Sequence, residues 1–321
     1  MKHDFLKTVN SHSSRRSFLQ RAGAALGVGF VAPLSGWVGA VSASEAPSNS
    51  ATKTLIGSNI YGWGQYAQRE KKKLNKEEVM SALRDAGYDY LEDFLDSNQP
   101  ENTARLAEQM RAKGLTPVTL YTGGRLHEAD KAKEVVHKIL AAARICRAAG
   151  FQCLSCNPDP IGRDKTEAEL KNQAAALTDL GSGLKEIGLR LGVHHHLPEL
   201  AKQAREFHYI FQHSPPELVG FCYDVHWVYR GGIKPLEALK AYGQRIVSWH
   251  LRQSRNGIWW EDLDEGDIDY PAVARYAKEN NLARLFTVEL ALENGTQITR
   301  SALENHRRSL EFVRRVFDAR S

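Results

Sequence analysis

Four ionisable residues in the second half of the chain have types and spacing that suit metal chemistry. His194, Asp224, His250 and Glu289 lie 30, 26 and 39 residues apart, by subtraction of their positions. Two imidazoles and two carboxylates offer mixed nitrogen and oxygen donors, which suit Mn²⁺, Co²⁺, Fe²⁺ or Zn²⁺ better than Mg²⁺ or Ca²⁺. The alternative is that each group is hydrogen-bonded separately. We expect a divalent-metal site, with Mn²⁺ as the first choice.

Short β-like runs alternate with helical patterns from residue 54 to the end of the chain. Strands are predicted at 54–61, 88–94, 116–122, 151–157, 189–196, 218–226, 246–252 and 285–291. Helical periodicity covers 76–87, 101–114, 129–149, 165–187, 199–212, 235–243, 270–281 and 301–318. This alternation predicts the α/β class and a single-domain (β/α)₈ TIM barrel. A doubly wound open sheet is the alternative, but no Gly-x-Gly-x-x-Gly follows the first strand.

The alternation of side chains along the last four strands predicts which of them face the barrel interior. Aliphatic and aromatic residues should meet the helices, which leaves the polar residues inside. His195 then points outward, while the inward set comprises His194, His196, Asp224, His226, His250, Arg252 and Glu289. These positions lie near the C-terminal ends of their strands, the face where such barrels carry their active sites.

Three further charged residues are candidate substrate contacts. Glu92 is placed at the end of the second strand, from which it could reach the pocket. Glu199 begins the helix after the fifth strand, so it is either a substrate contact or a first-turn charge that complements the helix dipole. Arg252 could bind an anionic group. Trp227, by contrast, has outward parity and is expected to pack against a helix.

The N-terminal segment has the pattern of an export signal. Arg15-Arg16 precede an uncharged stretch, 22–44, which ends near the small-x-small sequence Val41-Ser42-Ala43. This pattern predicts a twin-arginine signal peptide over 1–43, a linker over 44–53 and a barrel domain over 54–321. The alternatives are a disordered basic tail or a membrane anchor. The Tat export machinery would be a partner, and the location would be periplasmic or otherwise exported.

The net charge and the cysteines limit the classes of protein to which the chain can belong. The chain has a formal net charge of +5, and residues 1–43 supply +4 of it, so a basic nucleic-acid-binding face is not expected. No other segment is apolar and long enough to predict a stable membrane anchor. Of the four cysteines, Cys153 and Cys156 form a C-x-x-C within a strand, and buried free thiols are expected, although a disulfide is possible.

Five short blocks carry a resemblance to a known family. They are, in order, 191–199 (LGVHHHLPE), 224–228 (DVHWV) with Gly231-Gly232, 243–251 (GQRIVSWHL), 264–269 (DEGDID) and 288–289 (VE). From about residue 54 to 318 the chain resembles the xylose isomerase-like TIM barrels of the sugar phosphate isomerase/epimerase group. The resemblance implies metal ligands at His194, Asp224, His250 and Glu289. His194 stands where the epimerases have a glutamate, and Gln253 stands where they have an aspartate.

The same resemblance implies proton abstraction next to a carbonyl, through a metal-stabilised enediolate, on an unphosphorylated sugar, keto-sugar or cyclitol. Epimerases of the group use two glutamate bases, and here Glu289 alone remains. That difference favours 1,2-isomerisation, or elimination by a keto-sugar or inosose dehydratase or lyase. His196 or His226 would be the general acid.

Two other functions are considered. A non-catalytic carbohydrate-binding barrel is one alternative. An apurinic-site endonuclease shares the barrel, but it needs additional His ligands and a basic face that the sequence lacks. The oligomeric state stays open.

Overall fold

A computed structural model describes residues 54–317 of the chain. The predicted signal peptide, 1–43, and linker, 44–53, lie outside the described residues, and both assignments stay predictions. In the part that is described, none of the helices is long and apolar enough to cross a membrane.

Eight parallel strands close into a barrel with the order β1-β10-β7-β6-β5-β4-β3-β2. The barrel strands are β1 Leu55–Asn59, β2 Tyr90–Phe94, β3 Thr119–Gly124, β4 Cys153–Pro158, β5 Arg190–Val193, β6 Gly220–Asp224, β7 Ile246–Leu251 and β10 Leu285–Val288. Two further short strands, β8 Ser254–Arg255 and β9 Ile258–Trp259, pair only with each other as an antiparallel hairpin. The prediction of a single TIM barrel is confirmed.

The helices follow the predicted order, with two additions. They are α1 Ile60–Arg69, α2 Lys76–Ala86, α3 Pro100–Ala112, α4 Ala129–Ala148, α5 Glu167–Glu186, α6 Ala201–Gln212, α7 Val225–Arg230, α8 Pro235–Tyr242, α9 Tyr270–Glu279 and α10 Ala302–Val316. Helices α1 and α7 begin where strands were predicted to continue. In both, the last strand residue, Asn59 or Asp224, caps the new helix with its side chain.

The core lies between the barrel wall and the helices. Outward-facing strand residues such as Val193, Phe221 and Trp249 are fully buried there. His195 joins them, with its ring centroid 4.8 Å from that of Phe207. Its outward orientation agrees with the predicted parity. Fully burying each such aliphatic or aromatic side chain stabilises the fold by about 1.5–3 kcal/mol.

The barrel interior below the site is filled by side chains. Tyr90 Oη donates a hydrogen bond to the Phe286 carbonyl at 2.8 Å and lies 2.8 Å from Thr287 Oγ1. A Cβ at Gly57 would approach the Tyr90 ring to 2.2 Å, so β1 needs a residue without a side chain at this position. The barrel is therefore closed at this level, and polar groups converge above it.

The four cysteines are buried free thiols, as expected. Burial raises the pKa of Cys153 to about 11 and that of Cys156 to about 12. Both groups are therefore protonated and poorly reactive at neutral pH.

Candidate active site

The structure brings together the four residues that the spacing singled out. One donor atom from each of His194, Asp224, His250 and Glu289 lies within 4.8 Å of the others, and all four residues are buried. Strand register explains part of this proximity, because Asp224 of β6 pairs directly with His250 of β7. His194 and Glu289 each follow directly after the last residue of their strands, β5 and β10.

His194 presents one ring nitrogen to the centre of this group. Its Nδ1 lies 3.2 Å from the hydroxyl of Tyr121, while its Nε2 lies 3.4 Å from Asp224 Oδ2. That Nε2 is buried and has no aligned hydrogen-bond partner among the described residues. Leaving a buried polar atom unpaired costs about 1–3 kcal/mol. A divalent cation would remove this cost, so the donor set fits a metal ion.

Asp224 caps helix α7 and also belongs to the clustered donors. Its Oδ1 accepts a hydrogen bond from the Trp227 amide at 2.7 Å, and its Oδ2 accepts one from Arg252 Nη2 at 3.1 Å. Burial alone would raise the pKa of this carboxyl, but Arg252 and His194 outweigh burial and hold the pKa well below its usual range. Asp224 is therefore ionised at any physiological pH.

His250 and Glu289 are in direct contact, with His250 Nδ1 at 2.8 Å from Glu289 Oε2. Burial raises the pKa of Glu289, whereas Arg252 and His250 lower it, and the net result is a pKa of about 2. An ionised carboxylate at this position can accept a proton from a bound molecule.

Arg252 supplies a fixed positive charge beside these carboxylates. Its guanidinium carbon lies 4.1 Å from the ring centroid of Trp259 and 5.3 Å from that of Trp227. Its Nη1 lies 3.9 Å from Glu289 Oε1. The hydroxyl of Tyr270 also contacts the backbone nitrogen and oxygen of Arg252, at 3.1 and 2.6 Å. The tryptophan rings and Glu289 thus restrict the guanidinium, while Tyr270 holds the backbone of Arg252.

Trp227 and His226 lie on helix α7 and not on a strand. The strand parity that assigned Trp227 to helix packing and His226 to the barrel interior stops at Asp224, because α7 begins at residue 225. The Trp227 ring instead contacts the site, 5.4 Å from the His196 ring and 5.4 Å from the Trp259 ring. His226 is buried on α7, with its ring 6.1 Å from that of Trp259.

The two candidate general acids are neutral imidazoles. Burial and the nearby His194 lower the pKa of His196 to about 3. Burial and Arg252 lower the pKa of His226 to about 3 as well. At neutral pH, either ring can donate a proton only from its neutral N–H, so a proton supplied by an imidazolium is not available here.

Glu92 and Glu199 are both buried and contact other protein groups, and their role as substrate contacts stays a prediction. Glu92 is the third residue of β2, which continues to Phe94, so it lies below the strand end and is fully buried. Glu199 is also fully buried, and its Oε2 accepts a hydrogen bond from the His196 amide at 2.7 Å.

Tyr121 is a site residue that the sequence reasoning missed. It lies in β3, with its ring centroid 5.3 Å from that of His194 and 6.2 Å from that of His250. The signal that could have found it is its position near the end of the predicted strand, 116–122, because barrel enzymes carry functional side chains at the C-terminal ends of their strands.

The hairpin β8–β9 carries Trp259 over the site. Asp267 fastens the hairpin, because its Oδ2 accepts hydrogen bonds from the Ser254 hydroxyl at 2.8 Å and from the Gly257 amide at 2.7 Å. Glu293 accepts a hydrogen bond from the Trp259 amide at 2.7 Å and one from Arg230 Nη2 at 2.9 Å. These hydrogen bonds thus connect the hairpin β8–β9, helix α7 and the segment that follows β10.

Curated proteins include relatives of this chain in sequence. Among curated proteins, Inosose dehydratase 2 from Bacillus cereus is 25% identical over 206 residues, which are 60% of this chain and 68% of the relative. The chain therefore spans about two thirds of the length of that relative.

Solved structures show the same fold at low identity. A sugar phosphate isomerase/epimerase from Parabacteroides distasonis ATCC 8503 has a TM-score of 0.67 at 19% identity, covering 85% of this chain and 98% of the other. The IOLI protein with a binding zinc atom has a TM-score of 0.63 at 18% identity, covering 83% and 98%.

The model of one protein family, described as the xylose isomerase-like TIM barrel, matches residues 80–316. This range begins in α2 and ends with the last residue of α10, so it includes seven of the eight barrel strands and all four clustered donors. The chain belongs to the xylose isomerase-like TIM barrel family.

Proposed function

We propose that the chain is an enzyme that removes a proton next to a carbonyl of an unphosphorylated sugar, keto-sugar or cyclitol. The inosose dehydratase relative and the isomerase/epimerase structures support enzyme activity in the isomerase, epimerase and lyase range. The observation that carries the proposal is the buried convergence of two imidazoles and two carboxylates at the C-terminal face of the barrel.

His194, Asp224, His250 and Glu289 would hold a divalent metal ion. When bound, such an ion polarises a carbonyl and its neighbouring hydroxyl, and this acidifies the adjacent C–H bond. The mixed donors favour Mn²⁺, with Co²⁺, Fe²⁺ or Zn²⁺ as alternatives. The zinc atom named for the IOLI protein, which has the same fold, supports the proposal that this barrel binds a divalent ion.

Glu289 is the proposed base. It is ionised, and the contact with His250 fixes one of its oxygens. Arg252, whose Nη1 lies 3.9 Å from the other oxygen, would stabilise the negative charge that develops on a substrate oxygen as the proton leaves. Its position against two tryptophan rings leaves the guanidinium little freedom to reorganise during the reaction.

We favour elimination, as in a keto-sugar or inosose dehydratase or lyase, over two-base epimerisation. In place of the second glutamate, His194 contributes an imidazole donor that is held by Tyr121. One carboxylate base then removes a proton, and the N–H of His196 or His226 would give a proton to the leaving hydroxyl or glycosyl oxygen. Glu289 then releases the proton that it took and the imidazole regains one, so that both groups return to their starting forms. The inosose dehydratase relative supports this choice. A 1,2-isomerisation is the second candidate.

The test uses the purified protein with Mn²⁺, an inosose or a 3-keto-sugar, and ²H₂O as solvent. We expect exchange at the α-carbon and loss of water or of the glycosyl group from wild-type protein. Glu289→Gln should abolish both. Unchanged exchange in that variant would eliminate Glu289 as the base. If wild-type protein showed neither bound metal nor exchange, the non-catalytic carbohydrate-binding alternative would be supported instead.

We also propose that the protein is exported through the Tat machinery. The support is the sequence alone, Arg15-Arg16 followed by the uncharged stretch 22–44. Fusing residues 1–53 to a reporter that is active only after export would test this. Arg15→Lys combined with Arg16→Lys should block export, and equal export by that variant would contradict the proposal.

A further inference from the structure

Glu92 touches the ring of His250 from the side away from Glu289. The distance from Glu92 Oε2 to His250 Nε2 is 2.8 Å, which is within ion-pair range although the Nε2–H direction is not aligned for a hydrogen bond. The opposite ring nitrogen, Nδ1, contacts Glu289. The His250 ring therefore lies between two carboxylates, and only Glu289 belongs to the clustered donors.

The position of Glu92 is fixed by neutral donors. Asn59 Nδ2 donates to Glu92 Oε2 at 2.7 Å, while the hydroxyls of Thr119 and Ser155 donate to Oε1 at 3.1 and 3.3 Å. A buried carboxylate requires such partners, because an unpaired charge in the interior is costly. The three donors come from β1, β3 and β4, so the barrel itself holds this carboxylate beneath His250.

We propose that Glu92 is a positioning residue for His250 rather than a substrate contact. An Nε2 proton directed at Glu92 would leave Nδ1, which contacts Glu289 in this structure, as the ring nitrogen available to a bound metal ion. A carboxylate that accepts a proton from a ligating histidine fixes the ring and increases the basicity of the ligating nitrogen. The purpose of this role rests on the proposed metal-dependent function, whereas the contact between Glu92 and His250 does not depend on that function.

Glu92→Gln is a suitable test variant because the site can accommodate an amide. The amide oxygen can replace Oε2, where Asn59 and His250 donate, and the amide NH₂ can replace Oε1, where the Thr119 and Ser155 hydroxyls can accept. The variant therefore keeps size and partners and removes only the charge. Ser155→Ala is the matched control, because it deletes a contact to Oε1 and leaves the Oε2 side unchanged.

The first measurement is Co²⁺ affinity by chelator competition, together with the visible absorption of the bound Co²⁺. In Glu92→Gln we expect the dissociation constant to rise by about 10- to 100-fold, with a changed spectrum. Ser155→Ala should stay within about threefold of wild type and keep its spectrum. Wild-type affinity and an unchanged spectrum in Glu92→Gln would overturn the proposal.

The second measurement does not depend on a metal. In the metal-free wild-type protein, ¹⁵N–¹H NMR of the imidazoles should show a proton on Nε2 of His250, assigned from the signal that His250→Gln removes. An unprotonated Nε2 would overturn the role of Glu92. A wild-type protein that bound no Co²⁺ would contradict the metal-dependent function instead, and the Nε2 proton would still decide the role of Glu92.

Discussion

Arg252 and Asp224 form a buried ion pair in the middle of the candidate site, with Nη2 3.1 Å from Oδ2 and both side chains almost fully buried. Asp224 also belongs to the group of donors that could hold a cation. A permanent positive charge therefore competes with a divalent ion for the same carboxylate. Arg252 should therefore weaken metal binding, whereas its ion pair with Asp224 should stabilise the metal-free protein.

Replacing Arg252 with methionine should separate these two effects. Removing one partner of a buried ion pair typically costs about 3–5 kcal/mol, so the metal-free variant should unfold at a lower temperature than wild type. Loss of the competing charge should tighten Mn²⁺ binding, and Mn²⁺ should restore much of the lost stability. Turnover should fall at least about tenfold, because charge on the substrate oxygen loses a partner. Thermal unfolding with and without Mn²⁺ checks this, and weaker Mn²⁺ binding by the variant would contradict it.

Two substitutions at Asp224 should distinguish its role as a helix cap from its role in the site. Asparagine is an equally good N-cap, so Asp224→Asn should retain the hydrogen bond to the Trp227 amide, but it loses the ion pair with Arg252, toward which the amide NH₂ would point. We expect it to bind Mn²⁺ at least about tenfold more weakly, since a charged ligand is lost. Asp224→Ala should lose the cap as well, at a further cost of about 1 kcal/mol. Urea unfolding of both variants measures the difference, and equal stability would argue against the cap.

Glu199 should make stability depend on pH. Burial and Glu206 raise its pKa to about 8, well above the value of an unfolded glutamate. Between pH about 4.5 and about 8 the native chain therefore holds a proton that the unfolded chain has released, so this group lowers stability as pH rises through that window. Each unit of pKa difference is worth about 1.4 kcal/mol.

Glu199→Gln removes this titration while keeping an acceptor for the His196 amide. The melting temperature of the variant relative to wild type should therefore increase from pH 5 to pH 8. Differential scanning fluorimetry across this range measures the change. A difference that does not vary with pH would show that Glu199 is ionised in the native protein.

Gly57→Ala should destabilise the barrel through overpacking. The added Cβ would meet the Tyr90 ring at 2.2 Å, and such insertions typically cost about 1–3 kcal/mol. Gly64→Ala is the control, since it lies on α1 and its nearest neighbour would be Leu74 at 3.9 Å. That change should be neutral or stabilising by up to about 1 kcal/mol, because alanine favours a helix. Similar unfolding midpoints for the two variants would contradict the expected closure of the barrel interior.

The sequence predicted the four clustered donors better than the residues around them. Hydrophobic alternation fixed the parity of the last four strands, because one face of each strand must meet the helices. That alternation carries no information on where a strand ends. Asp224 ends β6 by capping α7, so His226 and Trp227 follow helical geometry, and strand parity does not apply to them.

The sequence also does not show how deep along the barrel axis a strand residue lies. The assignment of Glu92 to the end of the second strand overlooks that both the predicted range, 88–94, and β2 extend two residues beyond it. Because Glu92 lies deeper along the barrel axis than the strand end, it is a buried neighbour of His250. Tyr121 escaped notice because a single tyrosine within an apolar run has no pattern of its own, and only the closed barrel brings it next to His194.

The hairpin β8–β9 has a consequence for how such a barrel can diversify. It pairs with no barrel strand, and Asp267 fastens it from a segment that also lies outside the barrel. Its length and sequence can therefore change during evolution without breaking any hydrogen bond of the eight-stranded wall. Since Trp259 at its end forms one side of the Arg252 environment, such changes would alter which molecules are accepted while the donors beneath stay the same.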